Sequence, residues 1–368
     1  GYFTFADGEP PQSWPENPDV LADPPPAVTV DFEDGYSDHV GARPANRELE
    51  ARLPAPTRIV SRSGALSRAN DDSLNAVPRY TSLMDALGDI DGSSAIEVVE
   101  FQDSATYPGE MIVWPNGISE LVIQAAEGHR PVIIVTIYDI WGDPPPIPTY
   151  EALTLRGLAW GGESVVTPPS AVLRIEWCSV LDASDQLTVD VSDDADVRID
   201  HCVCASVQAI GVGTLVVRDS IIDAGKGSLS PALQLPDAEL DIERSTVVGE
   251  VVAHALEASE VLFDDLVTVT DRFRGCIRYS AVPNNCVLPR RHRVVEGEPS
   301  RFVSYDRLHR AHLRLSAATS VEVRGGAEDG GEIGVFHDLQ AGKRREALIR
   351  RLDEYSPVGL ITGLVRVD

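Results

Sequence analysis

Acidic and histidine side chains recur at two adjacent positions of a repeated segment, and they are the groups in this sequence best placed for acid–base chemistry. Asp200, His201 and Asp219 form the best cluster, with Arg218 beside them. If successive segments stack about 4.8 Å apart, the two carboxylates come about 5 Å apart, the separation used by retaining glycosidases. These four residues are therefore the candidate catalytic set, with His201 as a further acid or base.

The same side chains also fit a solvated outer surface that performs no chemistry. Exposed charges of opposite sign on neighbouring strands pair with one another, at little gain in stability. We prefer this interpretation, and expect the outward residues Glu176, Trp177, Glu243, Asp264 and Asp265 to bind a partner rather than to catalyse. The two outward columns are Arg156, Glu176, Asp200, Arg218, Glu243 and Asp264, and Gly157, Trp177, His201, Asp219, Arg244 and Asp265.

The segments that carry these columns repeat six times. Each segment begins with two apolar residues that flank one other residue. Two polar turn residues follow, and further on a small residue precedes another apolar one. Within each segment the period is two and β-branched residues are common, which is typical of strands. The segments begin at Leu153, Leu173, Val197, Leu215, Leu240 and Val261, with spacings of 20, 24, 18, 25 and 21 residues.

This spacing predicts an all-β fold, a right-handed parallel β-helix solenoid. Ankyrin and tetratricopeptide repeats need about 33–34 residues and a helical period, and the right hand follows from the crossover rule for parallel strands. A β-sandwich of short strands is the alternative. One column, just past the turn, should face inward, with its cysteines as free thiols. It comprises Leu158, Cys178, Cys202, Ser220, Ser245 and Leu266.

The flanks of the repeats predict four regions. The chain should comprise a Pro-rich arm at 1–30, an irregular segment with a capping helix at 31–95, the β-helix at 96–270, and a mixed α/β capping or docking region at 271–368. The capping helix lies within Tyr80–Ile90, where Ser82 or Thr81 caps its start, Gly88 ends it, and Leu83, Met84, Leu87 and Ile90 share one face. A second helix is predicted at Lys343–Tyr355, with Glu346 and Arg350 as an i,i+4 pair.

Composition narrows the classes of partner. The net charge of −27 argues against nucleic acid, because such binding needs Lys and Arg to neutralise phosphates. No apolar run approaches the about 20 residues that span a bilayer, so we expect no membrane insertion. The five cysteines and eight histidines lack metal-ligand spacing, so we expect no metal and no cofactor.

Two resemblances follow from particular segments. Val197–His201 resembles the aspartate–histidine strand of pectate lyases, β-helix enzymes that bind polysaccharide along a strand face. That resemblance implies Arg218 as the proton-abstracting base, and Ca²⁺ to bridge an acidic sugar to this acidic chain. Longer segments resemble a family of uncharacterised bacterial β-helix proteins, encoded near phage-tail-like contractile injection genes, and imply no catalytic residues. They are Asp31–Asp38, Leu240–Gly249, Gly275–Ser280 and Gly326–His337.

We therefore expect a non-catalytic structural or surface-binding β-helix module in a tail-like assembly, extracellular or part of a secreted particle. Its partners would be proteins of that assembly or a surface glycan. The alternative is a carbohydrate-active lyase or hydrolase that uses the acidic face.

Overall fold

The structure is a computed structural model that describes residues 40–42, 54–62, 77–110, 114–135, 150–162, 165–167, 170–180, 186–225, 230–298, 300–307, 309 and 311–355. All of them belong to the larger of two compact units, Gly35–Asp368. The predicted arm at 1–30 lies outside the described residues.

The described chain is mostly β-strand, with three α-helices. Strands dominate because Val, Ile and Leu alternate with polar residues at a period of two. The strands are β1 Arg58–Val60, β2 Arg79–Tyr80, β3 Ile96–Phe101, β4 Thr106–Glu110, β5 Glu120–Ala125, β6 Val132–Val135, β7 Tyr150–Arg156, β8 Ala159–Gly162, β9 Val165–Thr167, β10 Ser170–Glu176, β11 Ser179–Val180, β12 Gln186–Asp200, β13 Val203–Cys204, β14 Ser206–Arg218, β15 Ile221–Asp223, β16 Leu233–Glu243, β17 Thr246–Val248, β18 Val251–Ser259, β19 Leu262–Phe263, β20 Val267–Val269, β21 Gly275–Arg278, β22 Ala281–Val282, β23 Arg290–His292 and β24 Val295–Glu296.

In the described part of the chain the strands form two sheets, and every strand pair in them is parallel. The long-strand sheet has the order β2-β1-β3-β5-β7-β10-β12-β14-β16-β18-β21-β23, with β9 on β12 and β20 on β18. The short-strand sheet has the order β24-β22-β19-β17-β15-β13-β11-β8-β6-β4. From β3 onward the chain mostly alternates between the sheets, so each repeat contributes a rung to both.

The longest strands divide at a break in register. In β12 the break falls between Asp190 and Ala195, and β14 and β16 break at the equivalent place. The first halves of these strands pair among themselves and with β9 and β20. Each central repeat therefore crosses three parallel ladders rather than two.

Five of the six predicted repeat starts are confirmed. Leu153, Leu173, Val197, Leu215 and Leu240 stand opposite one another on successive strands, and each is at most 1% exposed. Such stacking lets branched apolar side chains fill one continuous interior.

The sixth start was wrong by five residues. Leu240 pairs with Leu256 and not with Val261. Leu256 and Ala258 alternate like Val261 and Phe263, and all four are buried, so a period-two pattern does not separate the two phases.

The sheets also extend beyond the predicted solenoid at 96–270. At one end β1 pairs with β3, inside the region predicted to be irregular. At the other end β21 and β23 continue the long-strand sheet, and β22 and β24 continue the short-strand sheet. The start of the region predicted to be a mixed α/β cap, from Arg272 to Arg293, therefore adds two further repeats.

A short helix packs at the first end of the sheets. Helix α1 spans Leu83–Gly88, and the Ser82 hydroxyl accepts a hydrogen bond from the Asp85 N–H as its N-cap. Leu83 and Leu87 are buried against the interior, as predicted, but Met84 is 41% exposed.

The C-terminal region folds back along the outer surface of the short-strand sheet. Outward residues of that sheet (Val203, Ile221, Val248 and Leu262) are buried in one apolar cluster with Phe302, Leu313, Leu315, Val323, Ile333 and Phe336. Burying a large apolar side chain stabilises a fold by about 1.5–3 kcal/mol, so this cluster holds residues 300–339, here called the C-terminal strap.

The described residues of the C-terminal region also form two α-helices and a short 3₁₀ turn. Helix α2 spans Val321–Arg324, the 3₁₀ turn spans His337–Leu339, and helix α3 spans Ala341–Tyr355. Helix α3 confirms the second predicted helix, and its Glu346–Arg350 pair is 4.0 Å apart and exposed. Within the described residues, no helix combines the length and apolarity needed to cross a membrane.

Candidate functional site

A single residue turns the chain between the two sheets, and in successive repeats it has a left-handed backbone. For residues other than glycine this conformation costs about 1–3 kcal/mol each. We call these residues the corner column. Their φ angles are 73° for Gly157, 54° for Trp177, 50° for His201, 46° for Asp219, 42° for Arg244, 59° for Glu260, 48° for Tyr279 and 51° for Arg293.

Backbone hydrogen bonds hold the corner column in register. The N–H of Trp177 donates to the Asp200 carbonyl at 3.0 Å, and the N–H of His201 donates to the Arg218 carbonyl at 3.0 Å. Because the same bond recurs in repeat after repeat, corner side chains of neighbouring repeats are aligned and in reach of one another.

Small polar residues follow the corner and face inward. The Cys202 N–H donates to the Ser220 hydroxyl at 3.0 Å, and the Ser220 N–H donates to the Ser245 hydroxyl at 3.1 Å. These bonds satisfy N–H groups that the corner takes out of the strand ladders, because buried donors need partners. All five cysteines are unbridged, and burial raises the pKa of the Cys178 and Cys202 thiols.

His201 lies between an aromatic ring and a carboxylate. Its ring stacks on Trp177 with centroids 4.0 Å apart and planes inclined by 24°, and its Nδ1 lies 2.6 Å from Asp200 Oδ1. Trp177 is only 4% exposed. Its expected role as an outward binding residue does not fit this burial, because its ring offers little surface to a ligand.

Asp219 is bound on both oxygens by Arg244. The Nε–Oδ1 and Nη2–Oδ2 distances are 2.7 and 3.0 Å, and the Asp219 side chain is 12% exposed. The hydrogen bonds to Asp219 raise the pKa of Arg244 above its usual range. Bidentate pairs of this kind are strong and fixed in geometry, so Asp219 is not free to act as a nucleophile or a base.

A metal ion also fits this cluster poorly. Asp200, His201 and Asp219 place one ligand atom each within 4.8 Å of one another. Ca²⁺ takes about 6–8 oxygen ligands, whereas both oxygens of Asp219 already accept from Arg244. The guanidinium supplies the positive charge that a cation would bring, so the Ca²⁺ expected for a polysaccharide-cleaving site lacks a suitable set of ligands here.

The other predicted residues of the long-strand sheet are paired along its outer face. Glu176 Oε2 lies 2.7 Å from Arg156 Nη2, and Glu243 Oε1 lies 2.6 Å from Arg244 Nη1. Arg218 is 47% exposed and its Nε lies 3.7 Å from Glu243 Oε2. Each of these side chains has an oppositely charged neighbour on the same face.

Asp264 and Asp265 lie away from the columns predicted for them. Because the sixth repeat begins at Leu256, Ser259 stands in line with Glu243. Asp265 lies in the turn between β19 and β20, where its Oδ1 accepts from the Leu266 N–H at 2.7 Å. Leu266, predicted to face inward, is 41% exposed.

One buried charged cluster was not anticipated from the sequence. Asp223 Oδ2 lies 3.2 Å from Arg307 Nε and 2.9 Å from His312 Nε2, and their side chains are 4%, 6% and 1% exposed. Asp223 Oδ1 accepts from the Gly225 N–H at 2.8 Å. The cluster joins strand β15 to the C-terminal strap across more than 80 residues of sequence, a distance over which no local pattern predicts a contact.

The comparisons with known proteins assign no family. No protein-family model matches this chain, and a search of curated proteins finds no match. The interpretation therefore depends on the geometry described above.

Proposed function

We propose that the chain is a right-handed parallel β-helix and that it acts as a non-catalytic structural or surface-binding module. Three features support the solenoid: the strand pairs of the described residues are parallel, the chain passes between the sheets in each repeat, and the long strands break in register. Parallel crossovers of this kind are right-handed in about 98% of cases. Helix α1 closes the first end, where it covers interior residues beside β1 and β2.

The observation that carries the non-catalytic proposal is the Asp219–Arg244 pair. A general acid or base must reach its substrate and exchange a proton with it. Asp219 is mostly buried and its two oxygens accept from one guanidinium. The cluster therefore lacks the second free carboxylate that acid–base cleavage of a glycosidic bond requires.

The outer face of the long-strand sheet is the surface available for binding. The strap buries outward residues of the short-strand sheet from β13 to β22, whereas Arg174, Arg198 and Arg218 are exposed on the long-strand sheet. Under this proposal Glu176 and Glu243 contribute to that face, and its partner is a protein of a tail-like assembly or a surface glycan.

A carbohydrate-active enzyme is the second candidate, and one observation favours it. The side chains of His201 and Asp200 are 26% and 37% exposed and 2.6 Å apart, so this pair could still move a proton at the surface. A lyase or hydrolase of this kind would depend on Asp200.

Turnover separates the two candidates. The purified protein is incubated with a panel of acidic and neutral polysaccharides, and reducing ends and unsaturated products are measured. We expect no release above buffer. Release that Asp200→Asn abolishes, and that the exposed control Asp237→Asn retains, would overturn the non-catalytic proposal. Binding to the same panel, or co-purification with sheath or baseplate proteins at fixed stoichiometry, would identify the partner.

A further inference from the structure

Both sheets end in strands that no described residue covers. β23 is the last strand of the long-strand sheet and β24 is the last strand of the short-strand sheet. Strand edges offer unpaired N–H and C=O groups to any extended chain that approaches them. We call this end of the molecule, residues 286–296, the open end.

The repeating hydrogen bonds show which backbone groups point out of the open end. The Glu260 N–H donates to the Arg278 carbonyl, and one repeat later the Tyr279 N–H donates to the His292 carbonyl, each at 3.1 Å. By the same pattern the Arg293 N–H points past the last strand. Among the described residues none accepts from it.

The interior is also incompletely covered at this end. Val294 occupies the inward position that Ser280 and Val261 occupy in the two preceding repeats, both with no exposed surface. Val294 and Cys286 are only partly buried against the core. Solenoids need their terminal repeats covered.

The C-terminal strap does not supply this cover in the described chain. Its hydrogen bonds reach back to earlier repeats: Arg307 and His312 bind Asp223, and the Val335 N–H donates to the Thr246 hydroxyl at 3.1 Å. The Gly334 N–H also donates to the Glu260 carbonyl at 3.0 Å, so the strap lies along the side of the sheets, beside repeats that precede the open end.

The positive charge of the open end indicates that its partner is acidic. Arg290, Arg291, His292 and Arg293 are all exposed, and Glu296 compensates Arg291 alone, at 2.6 Å. A second copy pairing with the same edge would place arginine opposite arginine, which opposes self-association. An extended segment rich in Asp or Glu would instead meet complementary charge and backbone groups that no described residue pairs with.

We propose that the open end is a docking surface for an acidic β-strand of a partner protein, which adds to β23 as a further parallel or antiparallel strand. The inference rests on the proposed solenoid, because a solenoid end brings both edges together. It does not depend on the outer face of the long-strand sheet, so the polysaccharide assay and the assay below fail independently.

The test uses the full chain and three fluorescein-labelled peptides. One alternates Glu with Val and Thr, the second has Lys in place of Glu, and the third has Pro at the positions that would donate hydrogen bonds. Anisotropy titrations should give the Glu peptide about tenfold tighter binding than the other two, weakening with added salt. Salt dependence is measured on the unaltered protein, so it does not rely on any variant folding.

Charge reversal locates the binding site. The variant Arg290→Glu/Arg291→Glu/Arg293→Glu should lose about tenfold in affinity for the Glu peptide. The control Arg344→Glu/Arg350→Glu/Arg351→Glu makes the same charge change on exposed positions of helix α3 and should change affinity less than about twofold. Circular dichroism checks that both variants fold.

Four results would overturn the proposal. They are equal affinity for the Glu and Lys peptides, no binding of the Glu peptide at millimolar concentration, equal loss in the two variants, and self-association that the open-end variant abolishes. The last result would identify a second copy of this chain as the occupant.

Discussion

Replacing Asp223 with Asn should loosen the C-terminal strap, because Asp223 is the carboxylate that faces two basic side chains of the strap. The three side chains are at most 6% exposed. Asn is nearly isosteric, so the substitution removes the charge and leaves the packing. Arg307 would then lie buried beside a neutral amide.

The expected cost follows from the burial. Breaking a buried ion pair by removing one partner costs about 3–5 kcal/mol, because the attraction between the two charges is lost while the remaining charge stays desolvated. A typical domain has a total stability of about 5–15 kcal/mol. The loss is therefore large enough to release the strap or to lower the free energy of unfolding of the whole chain measurably.

The loss should also depend on pH. Burial raises the pKa of Asp223, but the hydrogen bond from His312 and the charge of Arg307 outweigh burial and hold that pKa below its ordinary value. A depressed pKa contributes stability above the unfolded value of about 3.9 and loses it as pH falls through the folded value. The stability gap between wild type and Asp223→Asn should therefore shrink as the pH falls below about 4.

Urea unfolding followed by circular dichroism, at several pH values, measures the gap, and limited proteolysis reports release of residues 300–339. The control is Asp237→Asn, an exposed acid on β16, which should cost less than about 0.5 kcal/mol. A loss for Asp223→Asn no larger than that of the control, or a gap that widens as the pH falls below about 4, would refute this reasoning.

Two further predictions concern the corner column and the strap. Ser220→Ala should cost about 1–3 kcal/mol in urea unfolding, because the buried Cys202 N–H loses its acceptor; Ser220→Cys keeps an acceptor, so an equal loss would contradict this role. Gly334→Ala should cost about 1–3 kcal/mol, because its Cβ would lie 2.7 Å from Thr246 Oγ1. Gly330 also has a positive φ, +78°, but open space around it, so Gly330→Ala measures the cost of the backbone conformation without a steric contact. Equal losses of stability at both glycines would show that the contact with Thr246 is unimportant.

Where each repeat contains a single apolar pair, the sequence correctly predicted which residues align between repeats and face inward. From Leu153 to Leu240 the aligned residues are those that face inward. The prediction failed at Val261 because two apolar pairs follow each other closely, and the hydrogen bond from the Val261 N–H to the Ser280 hydroxyl fixes the phase. That bond joins two repeats, so a template fitted to single repeats did not contain it.

The candidate site was predicted in its members but not in its chemistry. His201 and Asp219 lie in neighbouring repeats of the corner column, as their positions in the template indicated. The template also placed Arg244 in that column, but only the geometry shows its guanidinium on both oxygens of Asp219. The spacing between repeats predicts how far apart the carboxylates lie, but it does not show whether a long arginine side chain from the next repeat binds one of them. That contact decides whether Asp219 can take part in catalysis.

The chemistry of the two outer faces explains why the strap covers one and not the other. The short-strand sheet presents Val203, Ile221 and Leu262 outward, and covering them gains apolar burial. The long-strand sheet presents charged residues such as Arg198 and Glu243, and covering those would cost the desolvation of each charge. A strap laid on the long-strand sheet would lose stability, so the sequence of the outward positions leaves the charged face open and directs the search for a partner to that face and to the open end.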